Sequence, residues 1–353
     1  MAIGGMMTRL SQRLLSTRSA CVIALVVSAS CGRANFDVLA AVDGEIDGPA
    51  VVPIAKSCRG LATTCGATRT GACCDSPLVP GGTFARGYDV GTDGLHPDAS
   101  FPATLSDFRL DTYEVTVGRY RAFVAAGQGT QASPPSPGAG AHPDLPGSGW
   151  DASWTASLVA DSTALVAAVN CEPMFQTWTD ALGSHESLPV TCVSWFEAVA
   201  FCAWDGGYLP TETEWNYAAS GGDEQRAYPW SSPPSSLAVD DTRASWNCTG
   251  DGANGCTAAD TLVVGSKPAG AARWGQSDLA GNAWEWTLDW KAPYANPCTD
   301  CGVITDTAAS SVRVVRGGSW GDAAFNLRGS DRGTVRAPVV REDDLGFRCA
   351  RAP

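Results

Sequence analysis

The chain has 353 residues, of which 44% are apolar and 17% are charged, and it contains 39 glycines and 13 tryptophans. This composition allows a sizeable core, but it favours a loop-rich domain packed around indole rings over a helical bundle. The net charge of −13 would repel a phosphate backbone, which argues against nucleic acid as a partner.

The first 31 residues have the pattern of an export signal. Three arginines precede an apolar run at 20–27, and small residues follow it at 28–30. The run is too short to span a bilayer. The residues before Cys31 resemble a bacterial lipobox, although Ser28 fits that motif poorly. Two alternatives therefore remain: lipidation of Cys31, or ordinary cleavage by signal peptidase. We predict an exported protein, either a cell-envelope lipoprotein or a secreted one, that meets the membrane only through such an anchor.

Cysteines dominate the region that follows. Residues 32–57 have no steady hydrophobic period and predict a flexible tether, whereas residues 58–76 form a small Cys-rich knot ahead of the main domain at 77–353. Twelve cysteines follow Cys31, an even number that predicts a disulfide framework in an exported chain. Zinc is the alternative suggested by the CxxC of Cys298 and Cys301, although one such pair without a nearby histidine is a weak signature.

The first elements of the main domain are predicted from local patterns. Residues 104–111 alternate as a strand does. Thr116 can cap a helix in which Tyr120, Phe123 and Val124 share one face. Residues 126–150 are dense in glycine, proline and serine and predict a surface loop.

Two further helix starts are marked by capping boxes. Ser194 with Glu197, and Thr211 with Glu214, have the spacing at which the two side chains cap each other's backbone. The second helix is predicted to stop at the glycine pair 221–222. Beyond residue 240, short strand signals alternate with Gly, Asn and Asp turns.

Eight short motifs occur in order between residues 79 and 351. They are VPGGTF from 79, FRLDTYEVTVGRYRAF from 108, LPVTCVSWFEAVAFCAW from 188, LPTETEWNYAA from 209, YPW from 228, DLAGNAWEWTLDW from 278, RVVRGGSW from 313 and LGFRCA from 345. Together they resemble the formylglycine-generating enzyme family, also called the sulfatase-modifying-factor domain family. The resemblance implies an α+β fold, a single irregular C-type-lectin-like domain with little regular secondary structure.

The resemblance also bears on catalysis. The oxidase members of that family bind copper(I) through two cysteines that follow the glycine turn, and they oxidise a substrate cysteine to formylglycine. The corresponding positions here are Asp322 and Leu327, and neither side chain is the soft ligand that copper(I) requires. The resemblance therefore implies a protein without copper or cysteine-oxidase activity, in which Trp284, Ser319 and Arg316 keep the frame of the pocket.

Iron is the other redox metal that relatives of this family use. A non-haem iron site needs two histidines and a carboxylate, or three histidines. His96, His142 and His185 lie in separate loops beside proline or glycine, and none shares a helix face with another. We interpret them as loop histidines, and an oxidoreductase acting on a protein or sulfur substrate through a different centre remains the alternative function.

Calcium is the metal that the resemblance implies. The family positions that hold one calcium ion correspond to Asp278, Gly281, Ala283 and Glu285. Oxygen ligands gathered in a tight turn suit Ca²⁺. The nearest bases in sequence, Arg273 and Lys291, lie outside the turn, so we expect the ion to neutralise the two carboxylates; the alternative is a solvated Glu285. A second site would begin at Asn247 with the carbonyl of Cys248.

The resemblance also pairs Cys202 with Cys349, in a bond that ties the core to the chain end. Proximity in the sequence suggests the other pairs. They are Cys171 with Cys192, Cys248 with Cys256, Cys298 with Cys301, and two bonds among Cys58, Cys65, Cys73 and Cys74.

Three functional interpretations follow. The first is an inert, exported family member that binds a peptide, glycan or envelope partner; the second is an oxidoreductase with a different centre; the third is a structural ectodomain. The missing copper ligands favour the first over the second, and the retained pocket frame favours it over the third.

Overall fold

A computed structural model describes residues 55–306 and 311–353. The predicted export signal at 1–31, and all but the last three residues of the predicted tether, lie outside this part of the chain. Short helices and short strands alternate with long irregular stretches, which confirms the mixed α+β prediction with little regular structure. No helix in the described ranges has the length and apolar character needed to cross a membrane.

Each α-helix in the described residues begins at a side chain that caps it. The helices are α1 (Val117–Ala125), α2 (Ser162–Val169), α3 (Trp195–Trp204) and α4 (Glu212–Ala219). Thr116 caps α1, and the capping boxes predicted at Ser194 and Thr211 are both formed. After α4 the chain turns at Gly221, whose φ of +65° lies in the left-handed region. The helix α2, capped by Asp161, was not predicted.

Nine short strands form three small sheets in the described residues. The strands are β1 (Leu78–Val79), β2 (Gly82–Ala85), β3 (Pro102–Leu105), β4 (Phe108–Leu110), β5 (Trp284–Trp290), β6 (Arg313–Arg316), β7 (Val335–Arg336), β8 (Leu345–Gly346) and β9 (Ala350–Arg351). The sheet orders are β1-β4-β9, β2-β3 and β7-β6-β5-β8.

The single strand predicted at 104–111 is wrong, because the structure divides it. Thr104 belongs to β3, which pairs with β2, whereas Phe108 belongs to β4, which pairs with β1. Between them the carboxylate of Asp300 accepts hydrogen bonds from the backbone N–H and the hydroxyl of Ser106, at 2.6 and 2.8 Å. This long-range contact holds the chain where it changes sheets, and the local pattern gave no sign of it.

The sheet containing β5 positions the candidate site. Strand β5 pairs antiparallel with β6, so that Glu285 lies opposite Arg316, and parallel with β8, so that Trp284 lies opposite Leu345. Both faces of β5 are buried, since α3 and α4 pack against the same sheet. The polar residues of β5 therefore need partners inside the protein.

The described cysteines form six disulfides, and all of the predicted pairs are confirmed. The bonds are Cys58–Cys74, Cys65–Cys73, Cys171–Cys192, Cys202–Cys349, Cys248–Cys256 and Cys298–Cys301. The pairing of Cys298 with Cys301 contradicts the zinc alternative, because a disulfide leaves no thiolate to bind the ion. A framework of this density is compatible with an exported protein.

Candidate functional site: the glycine turn and its carboxylates

The turn after β6 depends on two glycines in the left-handed region. Gly317 has a φ of +99° and Gly318 a φ of +73°, which other residues adopt at a cost. A Cβ on Gly318 would also lie 2.8 Å from Cδ1 of Leu327. The turn therefore packs Gly318 closely against the buried Leu327, directly before Ser319.

Two carboxylates meet the side chain of Ser319. Asp322 Oδ2 accepts hydrogen bonds from the backbone N–H and the hydroxyl of Ser319, at 2.9 and 2.6 Å. The same hydroxyl oxygen lies 3.0 Å from Asp344 Oδ2. A hydroxyl has one proton, so it can donate to only one of these oxygens. Burial raises the pKa of Asp344 to about 6, so this acid is mostly ionised at neutral pH and can donate to the serine oxygen only when it is protonated at lower pH.

The two family copper positions thus have different environments in this chain. The carboxylate of Asp322 is held by Ser319. Leu327 is fully buried and packs in an apolar cluster that includes Tyr228 and Trp230. An aliphatic side chain cannot bind a metal, and a hydrogen-bonded carboxylate is a hard ligand that copper(I) disfavours.

The remaining frame residues are almost completely covered. Trp284 is 3% exposed and Ser319 is 1% exposed. The backbone N–H of Trp284 donates to the carbonyl of Asp344 at 2.8 Å, which places it beside the Ser319 group. The ring of Trp320 stacks on Phe175 with centroids 5.4 Å apart. Trp284 and Ser319 are therefore shielded from solvent in this arrangement.

Arg316 belongs to a different group. Its guanidinium is fully buried and lies 3.1 Å from Glu212 Oε1, and the Arg332 Nε also donates to that oxygen at 2.7 Å. Burial alone would raise the pKa of Glu212, but Arg332 and Arg316 lower it to about 2. Neighbouring Asp289 has its pKa raised to about 6 by burial and by Glu212. The sequence identified Arg316 as a residue of the pocket frame and did not reveal this network.

Glu285 is neither solvated nor free to bind an ion. Its carboxylate is fully buried and accepts from Arg348 Nε at 2.8 Å and Nη2 at 2.6 Å. The indole N–H of Trp215 donates to the same carboxylate at 2.9 Å. The solvated alternative is therefore wrong. The expectation that no base neutralises this turn is also wrong, because Arg348, distant in sequence, reaches it through the β5–β8 pairing.

A second buried acid lies beside the other end of the predicted calcium turn. Asp278 is buried with a φ of +59°, and its Oδ2 accepts from the N–H of Gly265 at 2.5 Å. Burial and the nearby Asp278 raise the pKa of Glu114 well above its usual range. Glu114 Oε1 accepts from Asn282 at 3.0 Å, and the Glu114 side chain also shares a hydrogen bond with Asp278. Two neighbouring acids, Asp278 and Glu114, therefore lie at this end of the turn, whereas Arg348 holds both oxygens of Glu285.

The backbone positions of the two calcium predictions lie close to the glycine turn. Gly281 N–H donates to the carbonyl of Gly317 at 2.9 Å, and Ala283 is buried one residue before β5. Asn247 and Cys248 have φ values of +50° and +57°. Their N–H groups donate to the carbonyls of the turn residues 322 and 320, at 2.9 and 2.8 Å. The disulfide loop that starts at Cys248 therefore packs on the Ser319 turn.

The three histidines are separated, as their loop positions predicted. His142 is buried with its Nε2 3.1 Å from Glu214 Oε1, and His185 Nδ1 lies 2.9 Å from the carbonyl of Thr177. His96 lines a different surface cavity. In the part of the chain that the structure describes, no three His, Cys, Asp or Glu residues are grouped to hold a metal. The histidines therefore do not fit a non-haem iron centre.

The comparison with known families agrees with this geometry. Residues 63–353 match the sulfatase-modifying factor enzyme 1-like domain. The chain belongs to this family. The formylglycine-generating enzyme of Thermomonospora curvata is 30% identical over 301 residues, which cover 78% of this chain and 92% of that protein. The inactive C-alpha-formylglycine-generating enzyme 2 of Mus musculus is 29% identical over 294 residues, covering 77% and 84%.

The family also includes relatives with other chemistry. The hercynine oxygenase of Mycolicibacterium smegmatis is 32% identical over 310 residues, covering 80% of this chain but only 63% of that protein. Among solved structures, PvdO from Pseudomonas aeruginosa superposes with a TM-score of 0.53 at 21% identity, covering 78% of this chain and 93% of that one. At this identity the likeness supports the fold alone.

Proposed function

We propose that this protein is an exported, non-oxidising member of the family, a secreted protein or envelope lipoprotein that binds a peptide, glycan or envelope partner. The observation that carries the proposal is the pair Asp322 and Leu327 at the family copper positions. One is a carboxylate that caps the Ser319 turn, and the other is part of the apolar core. The inactive C-alpha-formylglycine-generating enzyme 2 of Mus musculus supports the proposal, because it is a relative without the enzyme's activity.

Copper binding tests this proposal directly. The oxidised protein is mixed with the copper(I) complex of a chromophoric chelator, and it is expected to leave that complex intact. The twelve cysteines that follow Cys31 all form disulfides, so none of them offers a thiolate to copper(I). The Thermomonospora curvata relative serves as the positive control. Transfer of one copper ion per chain, lost in Asp322→Ala, would overturn the proposal.

An oxidoreductase with another centre is the second candidate, favoured by the likeness to hercynine oxygenase. Iron chemistry would need ligands from His96, His142 or His185. His96 lines a surface cavity, whereas His142 is buried beside Glu214, so these two histidines lie in different places. Iron-dependent oxygen consumption that is lost in His142→Ala would favour this candidate over a binding module.

Calcium enters the proposal through Asp278. This buried carboxylate adjoins Glu114, and the two acids share a hydrogen bond. A divalent ion held by hard oxygen ligands would satisfy both acids. The family ligand Glu285 contributes no side-chain oxygen in this arrangement, because Arg348 holds its carboxylate.

We therefore expect chelation to lower the melting temperature. An ion that binds only the folded state stabilises it by about 2.7 kcal/mol at a hundredfold excess over its Kd. EDTA should lower the midpoint by several degrees, added Ca²⁺ should restore it, and Asp278→Ala should abolish the response. Glu285→Gln should keep the response while lowering the midpoint with or without EDTA. Identical wild-type melting curves with EDTA and with Ca²⁺ would remove calcium from the proposal.

A further inference from the structure

A cavity of about 290 Å³ lies away from the Ser319 turn. It forms where the loop after β5 meets the segment before β7 and the loop between β2 and β3. Three cations line it: Arg86, Lys291 and Arg332. The whole chain has 24 Lys and Arg against 37 Asp and Glu, so a group of three cations in one concavity points to an anion.

An aromatic ring holds two of these cations in place. The guanidinium carbon of Arg332 lies 4.0 Å from the ring centroid of Tyr294, and that of Arg86 lies 4.6 Å from it. The hydroxyl of Tyr294 donates to Glu212 at 3.2 Å. Cation–π contacts of this kind fix the guanidinium planes before a ligand arrives, which reduces the ordering cost of binding.

The three cations differ in how their charge is balanced. Arg332 donates to both oxygens of Glu212, at 2.7 and 2.8 Å. Arg86 donates only to backbone carbonyls and to the sulfur of Cys301, and Lys291 donates to a backbone carbonyl. Among the described residues, Arg86 and Lys291 therefore have no carboxylate within ion-pair distance. Arg86 is buried and Lys291 is partly buried, and such a cation without a counter-charge is costly unless a ligand supplies one.

Lys291 has the clearest unused capacity. An ammonium group has three donors, and the Nζ of Lys291 uses one of them on the carbonyl of Arg332. Burial and the nearby Arg332 together lower the pKa of Lys291 to about 8, although Glu212 acts in the opposite direction. A carboxylate placed at the two remaining donors would offset both effects.

Two acids also line the cavity, and they limit the charge of the ligand. Asp98 is fully exposed at the rim, and its Oδ1 accepts from the N–H of Ser100 at 2.9 Å. Asp331 Oδ1 accepts from the N–H of Gly333 at 3.2 Å, whereas its Oδ2 is buried and has no partner in the described part of the chain. These charges favour a singly charged carboxylate over a phosphate dianion. They also leave an acceptor for an N–H or O–H of the ligand.

We propose that Arg86, Lys291 and Arg332 line a binding site for a carboxylate group, carried by a small organic acid or by the C-terminus of a peptide. The cavity volume of about 290 Å³ is large enough for a ligand end of this size. The site is independent of the copper positions, so its failure would leave the non-oxidising assignment untouched.

Calorimetric titration at constant ionic strength tests the site with four probes: propionate, triglycine, triglycine amide and inorganic phosphate. Binding of propionate alone identifies a small acid as the source of the carboxylate, and binding of triglycine but not its amide identifies a peptide terminus. Both results support the site. Binding of none of the probes, tighter binding of phosphate than of propionate, or equal binding of the peptide acid and its amide would overturn it.

Substitution of Lys291 decides whether the binding occurs in this cavity. Lys291→Met should weaken the binding at least about tenfold, because the charged donor is lost, and Lys291→Arg should retain most of it. Lys267→Met is the matched control, because Lys267 Nζ also donates to a single backbone carbonyl, at 3.2 Å, but lies elsewhere. Unchanged melting temperatures would show that the variants are folded. Equal binding by wild type and Lys291→Met would contradict the site.

The pH dependence gives a second readout that a structural role would not produce. Binding should weaken as the pH rises from about 7 to about 10, since Lys291 loses its proton in this range. The other groups facing it do not titrate there: burial lowers the pKa of His96 and raises that of Tyr294, while Glu212 stays ionised. The charged neighbours of Lys291 are Arg316, Arg332, Glu212 and Asp331. Lys291→Arg should make the profile flat.

Discussion

Replacing Arg348 with methionine is expected to destabilise the protein by about 3–5 kcal/mol, because it leaves a buried carboxylate without its counter-charge. Arg348 is fully buried and binds both oxygens of Glu285, at 2.6 and 2.8 Å. Its guanidinium also donates to the backbone carbonyls of Asp111, Thr112 and Ser277, at 2.8–3.1 Å. Removing it would therefore leave both an uncompensated charge and several orphaned carbonyls.

Thermal and urea denaturation would measure this loss, and the melting temperature should fall by roughly 10 °C. The matched control is Arg273→Met, which removes an exposed arginine paired with Asp223 and Glu224 and should cost less than about 1 kcal/mol. The Arg348→Met loss should be the same with and without EDTA. A loss that appeared only after chelation would show that a metal ion, and not Arg348, neutralises Glu285 in the untreated protein.

Removing the Cys202–Cys349 bond is the second change with a large expected effect. The bond links α3 to the residue before β9 across a sequence separation of 147. The loop-entropy relation gives roughly 5 kcal/mol of stabilisation for a loop of this length, through restriction of the unfolded chain. The Cys202→Ala/Cys349→Ala variant should therefore unfold at a much lower urea concentration.

The chain offers a matched control for this bond. Cys298 and Cys301 are separated by only 3 positions, for which the same relation gives roughly 2 kcal/mol. The corresponding double alanine variant should show a clearly smaller loss in the same urea titration. Equal losses in the two variants would mean that loop closure does not explain the stabilisation.

Features set by neighbouring residues were predictable from the sequence. The capping boxes at Ser194 and Thr211 depend on side chains three positions apart, and both are formed. The disulfide pairs followed from an even cysteine count, short spacings and one family pairing. The loss of both copper ligands could be read at Asp322 and Leu327, because ligand chemistry depends on residue type.

Features set by distant residues were not predictable. Glu285 pairs with Arg348 only because β5 and β8 run in parallel, and no local pattern joins these residues. Glu114 and Asp278 are also neighbours in space although they are far apart in the sequence, and no local pattern joins them. Both faces of β5 are buried, so Glu285 does not face solvent. Charged residues assigned to a metal or to solvent therefore proved to have partners far away in the sequence.

Conversion of a peptide cysteine to formylglycine is the most direct test of the central claim that this protein lacks the oxidase reaction of its family. The oxidised protein would be incubated with copper, a mild reductant and a peptide containing Cys-x-Pro-x-Arg, with the Thermomonospora curvata relative in parallel. Mass spectrometry should show no aldehyde above the no-enzyme control, because Asp322 and Leu327 provide no thiolate for copper(I). Copper-dependent conversion above that control, abolished by Ser319→Ala, would contradict the account.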